Sequence, residues 1–236
     1  FGGLSFDVRY SKQTSGTHFV SSRGSPSGAS IIGNTFDGLA GDAVSTASGN
    51  ANGWVITDNT DINSTADGVM FRTVNANDGG TFARNAAYSA SAARGLYGGN
   101  NVSGTAPTTI SYNIAVSGAA RSTAMCCCAG TATAHCTYDH NITQAFNQGI
   151  NTYSNSYIDT AYNINIQSAA NTAGQGCMVT LAGSNLTSTG DSCLLDSNNG
   201  NIGYLFIGGG SNMTLKNGLY YMAASDAGTS SSRSAG

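Results

Sequence analysis

The sequence has no glutamate and very little charge of either sign. Charged residues make up 9% of its 236 residues, and there are only two lysines, Lys12 and Lys216. Glutamate and lysine favour helices, so their scarcity argues against a helical protein. Proline is rare, with two residues, whereas glycine is abundant, with 32. Because Gly, Asn, Ser and Thr favour turns and strand ends, we predict an all-β protein with many turns.

The scarcity of basic residues and of long apolar runs argues against two classes of partner. The net charge is −3 and no block of Lys or Arg occurs, so nucleic acid is not an expected ligand. No apolar run approaches the ~20 residues that span a bilayer, so membrane insertion is not expected. The chain begins at Phe1, which we interpret as the start of a processed chain or of a fragment. We expect an extracellular, cell-surface or virion location.

The sequence does contain a repeat that is marked by asparagines 25 to 28 residues apart. These asparagines are Asn34, Asn59, Asn85, Asn113 and Asn141. Three positions before them stand the apolar or aromatic residues Ile31, Ile56, Phe82, Ile110 and Tyr138. Nine to eleven positions after them stand Val44, Val69, Leu96, Ala124 and Ile150. Beyond Ile150 the spacing is less regular, and the best continuations are Asn163, Asn185 and Asn212.

A repeat of this length predicts a chain that coils into stacked rungs. Each rung would contribute two or three short strands, which pair in parallel with the neighbouring rungs at about 4.8 Å. The apolar residues would stack inside as a narrow core, and the asparagines would form a ladder of amide hydrogen bonds at a turn. A β-sandwich, with hairpin turns every ~8–12 residues, would not produce such columns.

The segments IIGN, VITDN, TFARN, ISYN and YDHN resemble the right-handed parallel β-helix family, which includes pectate lyases, polygalacturonases, phage tailspikes and surface adhesins. The resemblance implies a right-handed parallel β-helix solenoid of about seven to eight rungs, with roughly 25 residues in each. We expect residues 1–30 to be an N-terminal lead-in or cap, 31–222 to be the β-helix, and 223–236 to be a flexible C-terminal tail.

One outward column is a candidate for catalysis. Aligned by the repeat, Asp42, Asp67, Arg94 and Arg121 stand just before the second strand of successive rungs. Two stacked carboxylates could act as acid and base on a glycosidic bond, and an arginine could hold a sugar carboxylate. The resemblance to lyases implies that an arginine could serve as the base. The alternative is structural: the aspartates cap backbone amides in turns, and the arginines pair with them.

Calcium is a candidate cofactor, although no cofactor is the simpler prediction. Asp58, Asp61 and Asp67 could supply oxygen ligands, and Asp139 and Asp159 could form a second cluster. No sequential calcium-binding loop is present.

Cysteines offer a second set of candidates, namely Cys126, Cys127, Cys128, Cys136, Cys177 and Cys193. Adjacent residues of a strand point to opposite faces, so three consecutive cysteines cannot all bind one metal ion. Aligned with Phe71, this alternation predicts Cys126 and Cys128 inside and Cys127 outside. Cys127–Cys136 and Cys177–Cys193 are candidate disulfides, which would favour an oxidising compartment.

A ligand-binding surface can be predicted from the same alternation. If Val69 and Leu96 face inward, Met70, Tyr97 and Met125 face outward. Trp54, predicted in a turn, would add to this surface, which could stack on sugar rings or pack against another subunit. Isolated exposed aromatic residues are also common without such a role.

Two classes of function remain. The first is a non-enzymatic extracellular or virion surface module, such as a part of a tail fibre or tailspike, an adhesin or a filament subunit. It would self-associate into a trimer or fibre and bind a glycan or cell-surface ligand. The second is a polysaccharide lyase or glycoside hydrolase that uses the Asp42, Asp67 and Arg94 column. The sequence has no G-x-S-x-G and no phosphate-binding loop, which favours the first class.

Overall fold

The computed structural model is a parallel β-solenoid, and the part of the chain that it describes contains strands and turns but no α-helix. It follows that no described segment is a helix able to span a membrane. The described residues are 5–46, 50–66, 68–73, 79–90, 94–100, 106–117, 123–128, 135–144, 148–153, 155–168, 177–196 and 205–222.

The strands form three parallel sheets. In the described part of the chain, each of the first eight rungs places one strand in each sheet, and the ninth adds a strand to sheets A and B. Sheet A contains β1 (Asp7–Arg9), β4 (Ser30–Ile32), β7 (Val55–Thr57), β10 (Thr81–Ala83), β13 (Thr108–Ser111), β16 (His135–Asp139), β19 (Tyr157–Ala161), β22 (Asn185–Thr189) and β25 (Asn212–Lys216). Sheet B contains β2 (Lys12–Gly16), β5 (Thr35–Leu39), β8 (Thr60–Ile62), β11 (Ala86–Ser89), β14 (Ile114–Ser117), β17 (Ile142–Gln144), β20 (Ile164–Ser168), β23 (Ser192–Asp196) and β26 (Leu219–Met222). Sheet C contains β3 (Val20–Ser22), β6 (Val44–Thr46), β9 (Gly68–Thr73), β12 (Arg94–Asn100), β15 (Thr123–Cys128), β18 (Gln148–Tyr153), β21 (Met178–Thr180) and β24 (Leu205–Ile207).

The length of a turn can be read from the strand register of sheet A. Six turns have 25 to 28 residues and two shorter turns have 23 and 22. If only the regular turns are counted, the solenoid has about six turns of about 27 residues, slightly fewer and longer than the predicted rungs, and the predicted fold class is confirmed. Residues 7–22, expected to be a lead-in or cap, contribute β1, β2 and β3, which pair with the next rung in all three sheets. Residues 223–236 lie outside the described part.

Sheet A carries the apolar column that the repeat predicts. Ile31, Ile56, Phe82, Ile110 and Tyr138 are direct partners in successive strands, and all are buried. Because parallel pairing repeats every ~4.8 Å, these side chains stack into a continuous core.

The asparagine ladder follows this column at the corner between sheets A and B. Asn85 Oδ1 accepts hydrogen bonds from the backbone N–H of Asn59 at 3.0 Å and from Asn59 Nδ2 at 2.9 Å. Asn59 Nδ2 also donates to the carbonyl of Ile31 at 2.9 Å. The ladder continues through Asn163 and ends at Asp191, whose Oδ1 accepts from Asn163 Nδ2 at 2.8 Å. The ladder members Asn34, Asn59, Asn85, Asn113, Asn141, Asn163 and Asp191 are all buried.

Two expected continuations of the ladder are wrong. Asn185 and Asn212 begin β22 and β25, where Asn212 Nδ2 donates to Asn185 Oδ1 at 3.0 Å on the exposed surface. The position in the ladder is taken instead by Asp191, because a carboxylate supplies the acceptors that the last amide needs.

The third predicted column is out of register. Val44 pairs with Phe71, Phe71 with Tyr97, and Tyr97 with Met125. Val69 instead pairs with Gly95. The physical cause is the connection from sheet B to sheet C: Phe71 lies 12 residues after its ladder asparagine, whereas Val44 lies 10 after its own. A fixed count from the asparagine therefore selects the wrong residue.

Candidate functional site

The residues predicted to bind a ligand at the surface are buried. Met70 is 1% exposed, and Tyr97, Met125 and Trp54 are 0% exposed. The Trp54 indole donates to the carbonyl of Pro26 at 2.7 Å. The expectation of an outward Met70, Tyr97 and Trp54 is wrong, because neighbouring residues such as Met70 and Phe71 both join the core and simple alternation fails there.

Asp42 is the one member of the proposed catalytic column whose side chain the structure describes. Its side chain is 12% exposed. Oδ1 accepts from the backbone N–H of Val69 at 2.9 Å, and Oδ2 accepts from Arg72 Nε at 2.5 Å. The carboxylate therefore caps the start of β9 and pairs with Arg72. Asp67, Arg121 and the side chain of Arg94 lie outside the described residues.

Of the candidate calcium ligands, Asp58 lies on the surface of the coil and Asp61 lies inside it. Asp58 is exposed and pairs with Arg84, with Nε to Oδ1 and Nη2 to Oδ2 both at 2.8 Å. The Arg84 hydrogen bonds lower the pKa of Asp58. Asp61 is fully buried and accepts from Ser64 Oγ at 2.7 Å. Among the described residues, no group of three or more His, Cys, Asp or Glu side chains is placed to hold a metal ion.

Both candidate disulfides are present, and they link sheets within the coil. Cys127 of β15 is bonded to Cys136 of β16, and Cys177 is bonded to Cys193 of β23. All four residues are fully buried. The prediction that Cys127 faces outward is wrong. Met125 of β15 faces the core, and Cys127 lies two residues later on the same face of the strand.

A shallow depression of about 330 Å³ lies on the outer face of sheet A and was missed as a unit by sequence reasoning. Its lining residues are mostly hydroxyl-bearing or acidic: Thr109, Ser111, Thr137, Asp139, Asp159, Thr160, Ala161, Thr187 and Thr189. A threonine precedes the inward residue in β10, β13, β16, β22 and β25, as in TFA, TIS and TYD. This pattern is the signal that could have located the depression.

Two carboxylates of the depression are each held by a histidine. Asp139 Oδ1 lies 2.7 Å from His140 Nδ1, and Asp159 Oδ2 lies 2.9 Å from His135 Nε2. Thr137 of β16 pairs with Asp159 of the neighbouring strand β19, and Asp139 stands two residues after Thr137 on the same face. The two aspartates therefore lie on adjacent rungs of one face. Each carboxylate retains an oxygen that the histidine contact does not use.

Exposed rings flank the depression on both sides. Tyr157, 50% exposed, stands two residues before Asp159 on the outer face of β19. On the other side an aromatic corner consists of Tyr112, His140 and Tyr162, with ring centroids 4.9 and 5.1 Å apart. These three residues adopt φ of 53° to 56° and directly precede ladder asparagines, so the ladder sets their spacing.

The structure thus assembles a polar, open depression between rings rather than the predicted Asp42 column. Comparisons with protein-family models, curated proteins and solved structures found no match for this chain.

Proposed function

We propose that this chain is a non-enzymatic surface module of an extracellular structure or virion, which binds glycan chains at the depression of sheet A. The proposal rests on one observation: the carboxylates of Asp139 and Asp159 lie on the open outer face of sheet A, and exposed aromatic rings stand on either side of them. Carboxylates and hydroxyls exchange hydrogen bonds with sugar hydroxyls, and aromatic rings pack on the apolar faces of sugars.

The charge of the depression favours a class of sugar. Its two carboxylates would repel uronates and other acidic sugars, since repulsion between like charges at short range weakens binding. Neutral or amine-bearing glycans are therefore the expected ligands. His135 and His140 hold the carboxylates in place, which reduces the side-chain entropy lost on binding.

The surface location is supported by the cysteines. Disulfides persist in oxidising environments and are rare in the cytosol. Two disulfides inside the narrow coil would hold the sheets at a fixed spacing where the apolar core is thin. A rigid scaffold of this kind suits a module that displays a binding face.

Glycan binding is tested by calorimetry against neutral, amine-bearing and acidic oligosaccharides. We expect Asp159→Asn and Tyr157→Ala each to weaken binding about tenfold or more, because each removes a direct ligand contact. Asp37→Asn, which alters an outer carboxylate of sheet B, is the control and should leave affinity unchanged.

Two outcomes would reject the proposal. One is the absence of binding to every neutral and amine-bearing glycan. The other is release of new reducing ends or unsaturated uronates by the wild-type chain, which would instead support the polysaccharide lyase or glycoside hydrolase alternative. Activity lost in Asp42→Asn would assign that chemistry to the predicted column, and activity lost in Asp159→Asn would assign it to the depression.

A further inference from the structure

The outer face of sheet B changes character along the solenoid. In the first two rungs it carries Lys12 and Asp37, whose charged groups lie 3.4 Å apart. From β11 onward its outward positions include Tyr88, Ile114, Ile142, Ile164, Leu219 and Tyr221, which are 36% to 60% exposed, together with the uncharged polar residues Gln144 and Ser192. No described outward side chain from β8 to β26 is charged. We call this region, from Tyr88 to Tyr221, the apolar face.

The apolar face is built by register and is therefore flat and regular. Ile114 pairs with Ile142 and Ile142 with Ile164 in adjacent parallel strands. Six rungs at a spacing of ~4.8 Å make it roughly 29 Å long with side chains included. The aromatic corner of Tyr112 and Tyr162 continues its edge. The six residues from Tyr112 to Ser117, at ~3.2 Å each, give a width of roughly 19 Å and an area of about 550 Å². A monomer's largest exposed apolar patch is usually about 300–600 Å², so this face is at the upper limit.

We propose that the apolar face is the interface of a homodimer in which two solenoids pack sheet B against sheet B. Two such faces would bury roughly 1,100 Å², which is the low end for specific interfaces and predicts a reversible dimer. Sheets packed face to face lie about 10 Å apart with interdigitated side chains.

A second copy is the partner that matches this surface best. Its side-chain rows have the same spacing of ~4.8 Å, so the outward side chains of the two copies can interdigitate as in packed sheets. A partner with charge on its surface would bury unpaired charge against Ile142 and Ile164. The chain's own residues 223–236 contain no large apolar side chain that could cover the face. An isologous pair closes on itself, which predicts a dimer instead of the trimer or fibre expected from sequence.

The dimer proposal does not rest on the carboxylates Asp139 and Asp159, although it shares the aromatic corner with the glycan site, and sedimentation tests it. Over a range of about 1–500 µM, the wild-type chain should pass from monomer to dimer with a micromolar dissociation constant. Ile142→Lys should remain monomeric throughout, because each copy would bury an ammonium group in an apolar contact. Thr35→Lys changes an outward residue of the same sheet outside the apolar face, and it should dimerise like the wild type. Far-UV circular dichroism checks that each variant is folded.

Several results would overturn the dimer. A wild-type chain that stays monomeric at about 500 µM would do so, and so would a trimer, a fibre, or an Ile142→Lys variant that dimerises normally. Asp159→Asn should dimerise normally, so that failure of the glycan proposal and failure of the dimer proposal are distinguished.

Discussion

Replacement of Asn113 with alanine tests whether the ladder holds the coil together. Asn113 is fully buried. Its Nδ2 donates to the carbonyl of Phe82 at 3.0 Å and to Asn141 Oδ1 at 2.9 Å. Its Oδ1 accepts from the backbone N–H of Asn85 at 2.8 Å and from Asn85 Nδ2 at 3.0 Å. One side chain therefore joins three consecutive rungs.

The loss of stability can be estimated from the buried groups that lose their hydrogen-bond partners. Asn85 Nδ2 keeps its bond to the carbonyl of Ile56, but the buried N–H of Asn85 and the carbonyl of Phe82 lose this partner. A buried polar group left without a partner costs about 1–3 kcal/mol, so Asn113→Ala should lower the free energy of unfolding by roughly 2–6 kcal/mol. Domains are stable by only about 5–15 kcal/mol, so the effect should be large.

Urea and thermal denaturation monitored by circular dichroism provide the measurement. At about 2–4 °C per kcal/mol for a chain of this size, the thermal midpoint should fall by roughly 4–24 °C. Asn185→Ala is the matched control, since its amide bonds Asn212 at the surface. The control should change stability by no more than about 0.5 kcal/mol. Equal losses in the two variants would refute the structural role of the ladder.

Two further predictions concern an exposed ion pair and a disulfide. Arg84→Gln should raise the pKa of Asp58, which the Arg84 hydrogen bonds lower; carboxylate NMR titration measures it, and Arg9→Gln should leave that pKa unmoved. Because the folded pKa is lowered, the pair contributes stability above the unfolded pKa of about 3.9 and loses it as pH falls through the folded pKa. Solvent exposure of both side chains keeps this contribution small. Cys177→Ala combined with Cys193→Ala should lower the urea-derived free energy of unfolding by about 3 kcal/mol, since the bridge closes a loop of 16 residues. An unchanged value relative to the wild type would contradict this.

Sequence reasoning succeeded where a rung has a constant length. The path from the inward residue of sheet A to the ladder is three residues in each of the five predicted repeats, so Ile31 and Asn34 predict their partners directly. The ladder also restricts its members to side chains that can bridge two rungs by hydrogen bonds. Its end at Asp191 was missed because only asparagine was considered, although Gly190-Asp191 matches Gly33-Asn34.

The same reasoning failed where the connection varies. The path from the ladder to the inward residue of sheet C takes 10 residues to Val44, 12 to Phe71 and 9 to Ile150. A shift of one residue exchanges the inner and outer faces of a strand, so Tyr97 and Cys127 were assigned to the wrong side. The depression and the apolar face depend on neighbouring rungs, and they become visible only when that register is known.

Tyr138 shows that the core of the solenoid can be improved. Its ring belongs to the inward column of sheet A, and its hydroxyl contacts no hydrogen-bond partner in the described part of the protein. Burial raises the pKa of Tyr138 well above its ordinary value, because the phenolate would lie in an apolar interior. Tyr138→Phe should therefore raise the free energy of unfolding by about 1 kcal/mol, since it removes a buried hydroxyl that folding leaves unpaired.

The effect of Tyr138→Phe should also depend on pH. Because the folded-state pKa is raised, ionisation of Tyr138 has no effect on stability below the unfolded pKa of ~10, but it destabilises the fold as pH rises above that value. The advantage of phenylalanine should thus grow above about pH 10, whereas Tyr112→Phe, at an exposed ring, should stay within about 0.5 kcal/mol of the wild type. Denaturation at pH 7 and pH 10.5 provides both comparisons (the higher value lies about half a unit above the ordinary tyrosine pKa). A loss of stability in Tyr138→Phe would contradict this prediction. It would show that the Tyr138 hydroxyl makes a hydrogen bond, for instance to a buried water.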